Sequence, residues 1–414
     1  MTATKQTDAR ADAGERADAG AESDAEAEAE AEAYAGIDTA PRVSFRVDGH
    51  LDLASSSLGY DRDLTLDLAT IRMRETEWFG DDEAVHRRPG TATVSLPALR
   101  SAGTRLCIAS VIARVKNRRA CSGLPRRDDV DAQTPAGAEA FATAQLAWYE
   151  RMHRDGSLRL VRNADELPDL QPGRQGNAGK SNVADGSEVL SVVLMLEGCD
   201  PIVEPGDAKA WSDRGVRVAG LAHYGRGRYA MGTGGDGPLT DAGKRLVPLL
   251  DDAGIALDLT HTADLALRQA MDLHRGAVCA THANCRELCD NDRQLTDEQI
   301  RAIADRGGVI GVVTFNPMIV PCPIGERPHR DRVTLGLLAE HVDRICQITG
   351  SALHVGIGSD LDGGFGREAI PAGLDSIADL PRFADTLARR HYNDDDIAHI
   401  LGGNWHRWLR NALP

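Results

Sequence analysis

The stretch GIALDLTHTADLALRQAMDLHRGAVCATH, residues 254–282, contains two short apolar runs separated by a longer segment. The runs Ile255 to Leu259 and Ala277 to Ala280 have the length and near-continuous apolarity of buried parallel strands. The segment between them, Ala263 to His274, is amphipathic in the manner of a helix that covers a sheet. This stretch therefore predicts a β-α-β unit with polar residues directly after each strand.

Six more apolar runs bounded by glycine or polar residues occur along the chain: Val43 to Val47, Thr104 to Ala109, Val189 to Leu196, Val216 to Ala222, Gly308 to Thr314 and Leu353 to Ile357. Further helical patterns lie between or after them, at Ala136 to His153, Thr240 to Ala253, Thr296 to Asp305, Arg332 to Ile348 and Ser376 to Arg390. Eight strands that alternate with helices predict an α/β fold, a (β/α)8 TIM-like barrel of the metal-dependent hydrolase type. A doubly wound open sheet is the alternative.

Potential metal ligands follow most of these strands, at the edge where a (β/α)8 barrel carries its chemistry. They are His50 and Asp52 after the first strand, Glu197 after the third, His223 after the fourth, His261 after the fifth, His282 after the sixth and Asp360 after the eighth. One such residue is weak evidence, because a buried histidine is more often a hydrogen-bonded structural group. Several at consecutive strand ends predict a metal site, and a carboxylate at Glu197 is placed to bridge two ions.

These motifs resemble those of the membrane (renal) dipeptidases, peptidase family M19, from about Val47 to Leu409. The resemblance rests on DGHLDL at 48–53, Glu197-Gly198, DLTH at 258–261, residues 281–313 with DRQLTDEQI at 292–300, GIGSDLDGG at 356–364 and ILGGN at 400–404. The chain departs from the family pattern at Leu51, where asparagine is usual, and at Cys199-Asp200, where a Gly-His pair is common. The loop at residues 223–229 also differs from that of the animal enzymes.

The resemblance implies a distorted barrel with two Zn²⁺ per chain, usually a homodimer, that hydrolyses dipeptides. Carried over by position, His50, Asp52 and Glu197 hold one zinc. Glu197, His261 and His282 hold the other, so that Glu197 bridges the pair. The remaining roles fall to His223 and Arg293 as substrate-binding residues, with His223 also stabilising charge on the carbonyl oxygen, and to Asp360 as the catalytic acid/base.

This assignment suits amide hydrolysis, because two zinc ions that share a water lower its pKa and polarise the scissile carbonyl. A guanidinium at Arg293 can hold a free C-terminal carboxylate through two parallel hydrogen bonds, which favours small dipeptides. The alternative for Arg293 is a surface ion pair. Two other readings of the chain stay open: the same metal site acting on an N-acyl amino acid or a Cys-Gly S-conjugate in a biosynthetic pathway, and a non-catalytic barrel.

The composition limits the kinds of molecule that the chain is expected to bind. A net charge of −16 and an aromatic share of 4% argue against nucleic-acid binding. No apolar run reaches the roughly 18 residues of a membrane span, which predicts a cytoplasmic protein. The partner that the family resemblance implies is a small peptide substrate. The Ala-, Asp- and Glu-rich residues 1–40 predict a disordered tail before a single metallohydrolase domain at 41–414. The eight cysteines form no CxxC pair and are expected to be reduced and mostly buried.

Overall fold

The structure, a computed structural model, describes residues 45–79, 90–115, 130–170, 189–323 and 326–414. The predicted acidic tail at residues 1–40 lies outside these ranges, as do Cys121 and the start of the first predicted strand. The division into a tail and one domain at 41–414 therefore stays a prediction.

The eight strands of the predicted barrel are all present and occur in the predicted order. They are β1 (Val47–Leu51), β2 (Leu106–Ile112), β3 (Leu190–Glu197), β4 (Val216–Gly220), β5 (Ala256–Asp258), β6 (Val278–Cys279), β7 (Ile310–Val312) and β8 (Val355–Ile357). Strands β1 to β6 form one parallel sheet in sequence order, and β7 pairs in parallel with β8. A parallel bridge between Ala280 and Ile310 joins the two groups, which confirms the TIM-like barrel architecture.

The first strand lies further along the chain than predicted, and Asp48, Gly49 and His50 are part of it. The carboxylate of Asp48 connects β1 to Ser359, which lies two residues beyond the end of β8. Oδ1 accepts the Ser359 backbone N–H at 2.9 Å and Oδ2 accepts the Ser359 hydroxyl at 2.5 Å. This buried carboxylate thus links the first and last strands at the mouth of the barrel.

The C-terminal helix, Asn404–Ala412, packs into the interior of the barrel beneath the mouth. Its buried indoles donate hydrogen bonds to strand carbonyls, Trp405 to Ile357 and Trp408 to Val278, both at 2.9 Å. A Cβ atom at Gly49 or Gly356 would lie 2.5 Å from the Trp405 ring, so only glycine fits at these strand positions. The helix therefore supplies the aromatic volume that fills the barrel under the polar mouth.

The longer helices surround the sheet, and most agree with the sequence prediction. The α-helices are Leu53–Tyr60, Leu68–Phe79, Leu96–Ala102, Pro135–Arg154, Ala208–Asp213, Asp241–Asp252, Asp264–Leu273, Asp297–Asp305, Asn316–Ile319, Leu335–Thr349, Phe383–Arg389, Asp394–Ala398 and Asn404–Ala412. Thr240 and Thr296 cap two of them by accepting backbone N–H groups of Gly243 and Gln299. The predicted helix from Ser376 to Arg390 is instead a 3₁₀ segment, Ile377–Arg382, followed by Phe383–Arg389, since Pro381 lacks the N–H that a continuous helix needs.

Within the described ranges, no helix combines the length and apolarity that crossing a bilayer requires. The seven cysteines described there carry free thiols, and five of them are buried, as expected. The cytoplasmic location and the homodimer stay predictions.

Candidate metal centre and active site

The mouth of the barrel brings together the side chains that the sequence placed at separate strand ends. Three overlapping groups of potential ligands occur in the described part of the chain: His50, Glu197 and His282; Glu197, His223 and His261; and His50, Asp52 and Asp360. The alternation of side chains along a strand explains why Glu197 of β3 points into this group. It lies two residues beyond the inward-facing Met195, so both side chains are on the same face. All seven predicted residues of the mouth therefore share one cluster.

Glu197 lies at the centre of the cluster, and its two carboxylate oxygens face different partners. Oε2 lies 3.6 Å from His50 Nε2. Oε1 lies 3.4 Å from His223 Nε2, 3.5 Å from His261 Nε2 and 3.6 Å from His282 Nε2. One carboxylate thus separates a group on the β1 side from a histidine group on the β4 to β6 side.

The group on the β1 side is completed by two more carboxylates. His50 Nε2 is 3.8 Å from Asp52 Oδ1 and 3.9 Å from Asp360 Oδ1. On the other side, the Nε2 atoms of His261 and His282 approach to 3.3 Å. Nitrogen and carboxylate oxygen are the donors that hydrolytic zinc prefers, so both sides have suitable ligand types.

Unpartnered atoms show that the residues fit a bound cation. His50 Nε2 and Glu197 Oε2 are buried without a hydrogen-bond partner among the described residues. Their separation of 3.6 Å exceeds a hydrogen bond but is shorter than two zinc–ligand distances of about 2.1 Å laid end to end. Burying such atoms without a partner is costly, and a cation between them would remove that cost.

Burial and charge set the protonation of the cluster. Burial lowers the pKa of His261 and of His282 well below its usual range, with the charge of Arg293 adding to the effect. Burial would also lower the pKa of His50, but Glu197, Asp360 and Asp52 outweigh it and raise that pKa to about 10. Neutral His261 and His282 therefore have a ring-nitrogen lone pair to offer a cation.

A buried hydroxyl orients two of these histidines. Thr281 Oγ1 donates to Asp258 Oδ2 at 2.8 Å, because an ionised carboxylate can only accept. The same oxygen lies 2.9 Å from His282 Nδ1 and 3.4 Å from His50 Nδ1 and can accept from both rings. A proton on Nδ1 leaves the Nε2 lone pair of neutral His282 directed at the cluster, and it leaves Nε2 of His50 as the ring nitrogen that gives up its proton when a cation binds.

Replacing Thr281 by valine is expected to weaken metal-ion binding by about 10- to 100-fold, since the two rings lose the acceptor that fixes their protons. Titration against a zinc chelator of known affinity measures the change. Thr281→Ser keeps the hydroxyl and is expected to bind zinc like the parent chain. Equal affinities for the valine and serine variants would contradict this orienting role.

Two residues of the cluster have left-handed backbone conformations. His261 has φ 64° and Asp360 has φ 57°. Such angles are uncommon outside glycine, and they are tolerated where surrounding contacts hold the chain in place. Each residue lies three positions beyond the end of its strand, where the turn places its side chain in the cluster at the barrel mouth.

Arg293 is buried, with 3% of its surface exposed, which excludes the alternative of a surface ion pair. Its Nη2 donates to the His282 carbonyl at 2.7 Å. Its Nε and Nη1 are buried and have no partner among the described residues. A guanidinium with two unused donors beside the cluster is suited to an anionic ligand group.

The mouth opens into a cavity of about 160 Å³. Part of its wall is apolar, with Phe315 stacked on Phe365 at 4.4 Å between ring centroids. Arg114 and Arg327 also line it. Arg114 lies just beyond β2, so the strand-end rule could have identified it, but the predicted strand ended at Ala109. Arg327 follows an irregular segment and gave no such signal.

The chain is similar to known proteins in sequence and in fold. Residues 45–413 match the model of the family described as membrane dipeptidase (peptidase family M19). An uncharacterised protein encoded in the pqqA 5′ region of Klebsiella pneumoniae is 32% identical over 280 residues, which are 65% of this chain and 94% of that protein. An uncharacterised dipeptidase of Schizosaccharomyces pombe is 28% identical over 220 residues, 52% of this chain and 51% of its own length.

Two solved structures are similar in fold. Dipeptidase AC, a metallopeptidase of family M19, has a TM-score of 0.66 at 23% identity and aligns over 90% of this chain and 99% of its own. A metallopeptidase from Rhodobacter sphaeroides, liganded with a phosphinate mimic of the dipeptide L-Ala-D-Ala, has a TM-score of 0.65 at 22% identity, over 89% and 99% of the two chains. At these identities the likeness establishes the fold.

Proposed function

Because the chain belongs to the membrane dipeptidase family, peptidase family M19, we propose that it is a two-zinc dipeptidase that hydrolyses small dipeptides with a free C-terminal carboxylate. The observation that carries this proposal is the placement of Glu197. Its Oε2 faces His50 and its Oε1 faces three histidines, as a carboxylate shared between two cations requires.

We assign His50, Asp52 and Glu197 to one zinc, and Glu197, His261 and His282 to the other. When bound, the two cations supply a water of lowered pKa and a Lewis acid for the scissile carbonyl. The protein's part is to hold these ligands in place through Thr281 and Asp258 and to exclude bulk water with the apolar cavity wall.

Asp360 and His223 flank Glu197 and serve the proton and charge transfers. Burial raises the pKa of the Asp360 carboxyl well above its usual range in the metal-free chain. In the proposed reaction Asp360 takes the proton of the attacking water and passes it to the departing amine. His223 supports negative charge that develops on the carbonyl oxygen.

Arg293 provides the basis for substrate selection, since its two unused donors can pair with a terminal carboxylate. Arg293→Met is expected to raise the KM for a dipeptide by about 10- to 100-fold, the loss of one charge-assisted pair. Steady-state kinetics on a dipeptide and its C-terminal amide measure the effect. The parent enzyme should prefer the free acid, whereas the variant should treat both alike.

Arg301→Met is a matched control, because Arg301 is exposed on the helix Asp297–Asp305. It should keep the preference for the free acid. An Arg293→Met enzyme that still discriminates acid from amide would contradict carboxylate binding by this residue.

Two measurements on the full chain test the proposed function. Elemental analysis is expected to find about two zinc equivalents per chain. A panel of L,L and L,D dipeptides, N-acyl amino acids and Cys-Gly S-conjugates is expected to show turnover of free dipeptides. Turnover restricted to N-acyl amino acids or S-conjugates would refute the dipeptide assignment, and a chain with neither metal nor activity would refute the whole proposal.

A further inference from the structure

Arg114 contacts a ring nitrogen of His223 that the reaction described above does not use. It lies in the short strand Arg114–Val115, just beyond β2, and its Nη1 is 2.9 Å from His223 Nδ1. The Arg114 Nε and Nη2 atoms both lie 2.8 Å from Asp131 Oδ1. Its backbone N–H donates to the Val130 carbonyl at 2.7 Å. Asp131 and His223 therefore hold the guanidinium from two sides, and the bond to Val130 anchors the backbone of Arg114.

A second carboxylate, that of Asp200, links the segments that carry Arg114 and His223. Asp200 Oδ2 accepts the Val115 backbone N–H at 2.7 Å, and Asp200 Oδ1 accepts the Arg228 backbone N–H at 2.9 Å. Asp200 thereby ties the segment that carries Arg114 to the loop at residues 223–229, which carries His223. This carboxylate is one of the positions at which the chain departs from the usual family pattern.

The contact with Arg114 determines where the His223 ring holds its proton. A guanidinium has only donors, so the facing ring nitrogen has to accept. An accepting Nδ1 leaves the proton on Nε2, and Nε2 faces the cluster at 3.4 Å from Glu197 Oε1. His282 has the opposite arrangement, because its Nδ1 faces the Thr281 hydroxyl, which accepts. The group that contacts Nδ1 thus determines whether Nε2 of that histidine is a hydrogen-bond donor or has a lone pair for a metal ion.

We propose that Arg114 is a positioning residue that holds His223 with its proton on Nε2, as a hydrogen-bond donor aimed at the carbonyl oxygen of the substrate. The proposal rests on the proposed dipeptidase function for its substrate, and it makes His223 unavailable as a metal ligand. Glu197, His223 and His261 are close enough to hold a cation. Coordination through His223 Nε2, however, would move the proton to Nδ1 and set two N–H donors against each other across 2.9 Å.

The tautomer can be observed directly in the zinc-loaded, full-length chain labelled with ¹⁵N-histidine. The His223 resonances are assigned by comparison with His223→Gln. The expected result is a protonated Nε2 and an unprotonated Nδ1. A protonated Nδ1, or a zinc-shifted Nε2, would overturn the proposal without any variant of Arg114, and neither result depends on catalytic activity.

Kinetics of three variants then test the role of Arg114 in turnover. Arg114→Met is expected to mix the His223 tautomers and to lower kcat by about 10- to 100-fold, with zinc content retained and KM changed much less. Arg114→Lys keeps one donor and should recover part of kcat. Arg159→Met is the control, because Arg159 is half-buried on the strand Leu158–Leu160 and bonds Ser191; its kcat should match the parent.

A loss of zinc together with kcat in Arg114→Met, or an unchanged kcat with an unchanged tautomer, would overturn the proposal. Failure of the parent enzyme on every dipeptide would instead count against the proposed function, while the ¹⁵N spectrum would still report the tautomer.

Discussion

Glu197→Gln is expected to lose at least one of the two zinc equivalents and to lower kcat/KM on the order of 10³-fold or more. Glutamine has nearly the shape of glutamate, so the β3 end should keep its fold. It has no negative charge, however, and one of its two ends is an NH₂ donor that cannot bind a cation. The NH₂ group therefore replaces one of the two carboxylate oxygens. These are Oε2, which faces His50, and Oε1, which faces His223, His261 and His282.

Metal content by elemental analysis, together with kcat/KM for a dipeptide, measures this effect. Glu139→Gln is the matched control, because Glu139 is exposed on the helix Pro135–Arg154 and should leave both quantities unchanged. A Glu197→Gln enzyme with two tightly bound zinc ions and parental activity would rule out a bridging carboxylate.

The barrel was predictable from the sequence because the apolar runs and the helical patterns are local properties of the chain. The strand limits were less predictable. The prediction ended β1 at Val47 and β2 at Ala109, whereas these strands continue to Leu51 and Ile112. The added residues include Asp48, His50 and Ser110, which belong to these strands while their side chains contact neighbours at the mouth. In these two strands apolarity marks the buried middle and misses the end that lies at the mouth.

The candidate ligands were predictable for a related reason. Each follows a strand, and the carboxyl ends of parallel strands in a barrel meet at one mouth. Arg114 was not identified because the predicted second strand ended at Ala109, and its contact with His223, a residue 109 positions away in the chain, is visible only in the folded protein. The packing of Trp405 into the barrel interior is also long-range, and only the folded chain explains why Gly49 and Gly356 lack side chains.

Asp360→Asn is expected to lower kcat by about 10²- to 10⁴-fold, the usual contribution of a general acid/base group. Asparagine cannot take up and release a proton at neutral pH, yet it tolerates the left-handed backbone that Asp360 adopts at φ 57°. The backbone N–H of residue 360, which donates to the His50 carbonyl at 3.2 Å, is unchanged by the substitution. The variant should therefore fold, bind substrate and fail in proton transfer.

Zinc content separates two roles for this carboxyl. Asp360 lies close enough to His50 and Asp52 to be a metal ligand, at 3.9 Å between its Oδ1 and His50 Nε2. An acid/base group predicts two retained zinc equivalents with a low kcat, whereas a ligand predicts the loss of one equivalent. Asp61→Asn is the control for the substitution itself, because Asp61 is exposed and has a similar φ of 54°. Parental kcat in Asp360→Asn would exclude both roles, since neither survives replacement of the carboxylate by a neutral amide.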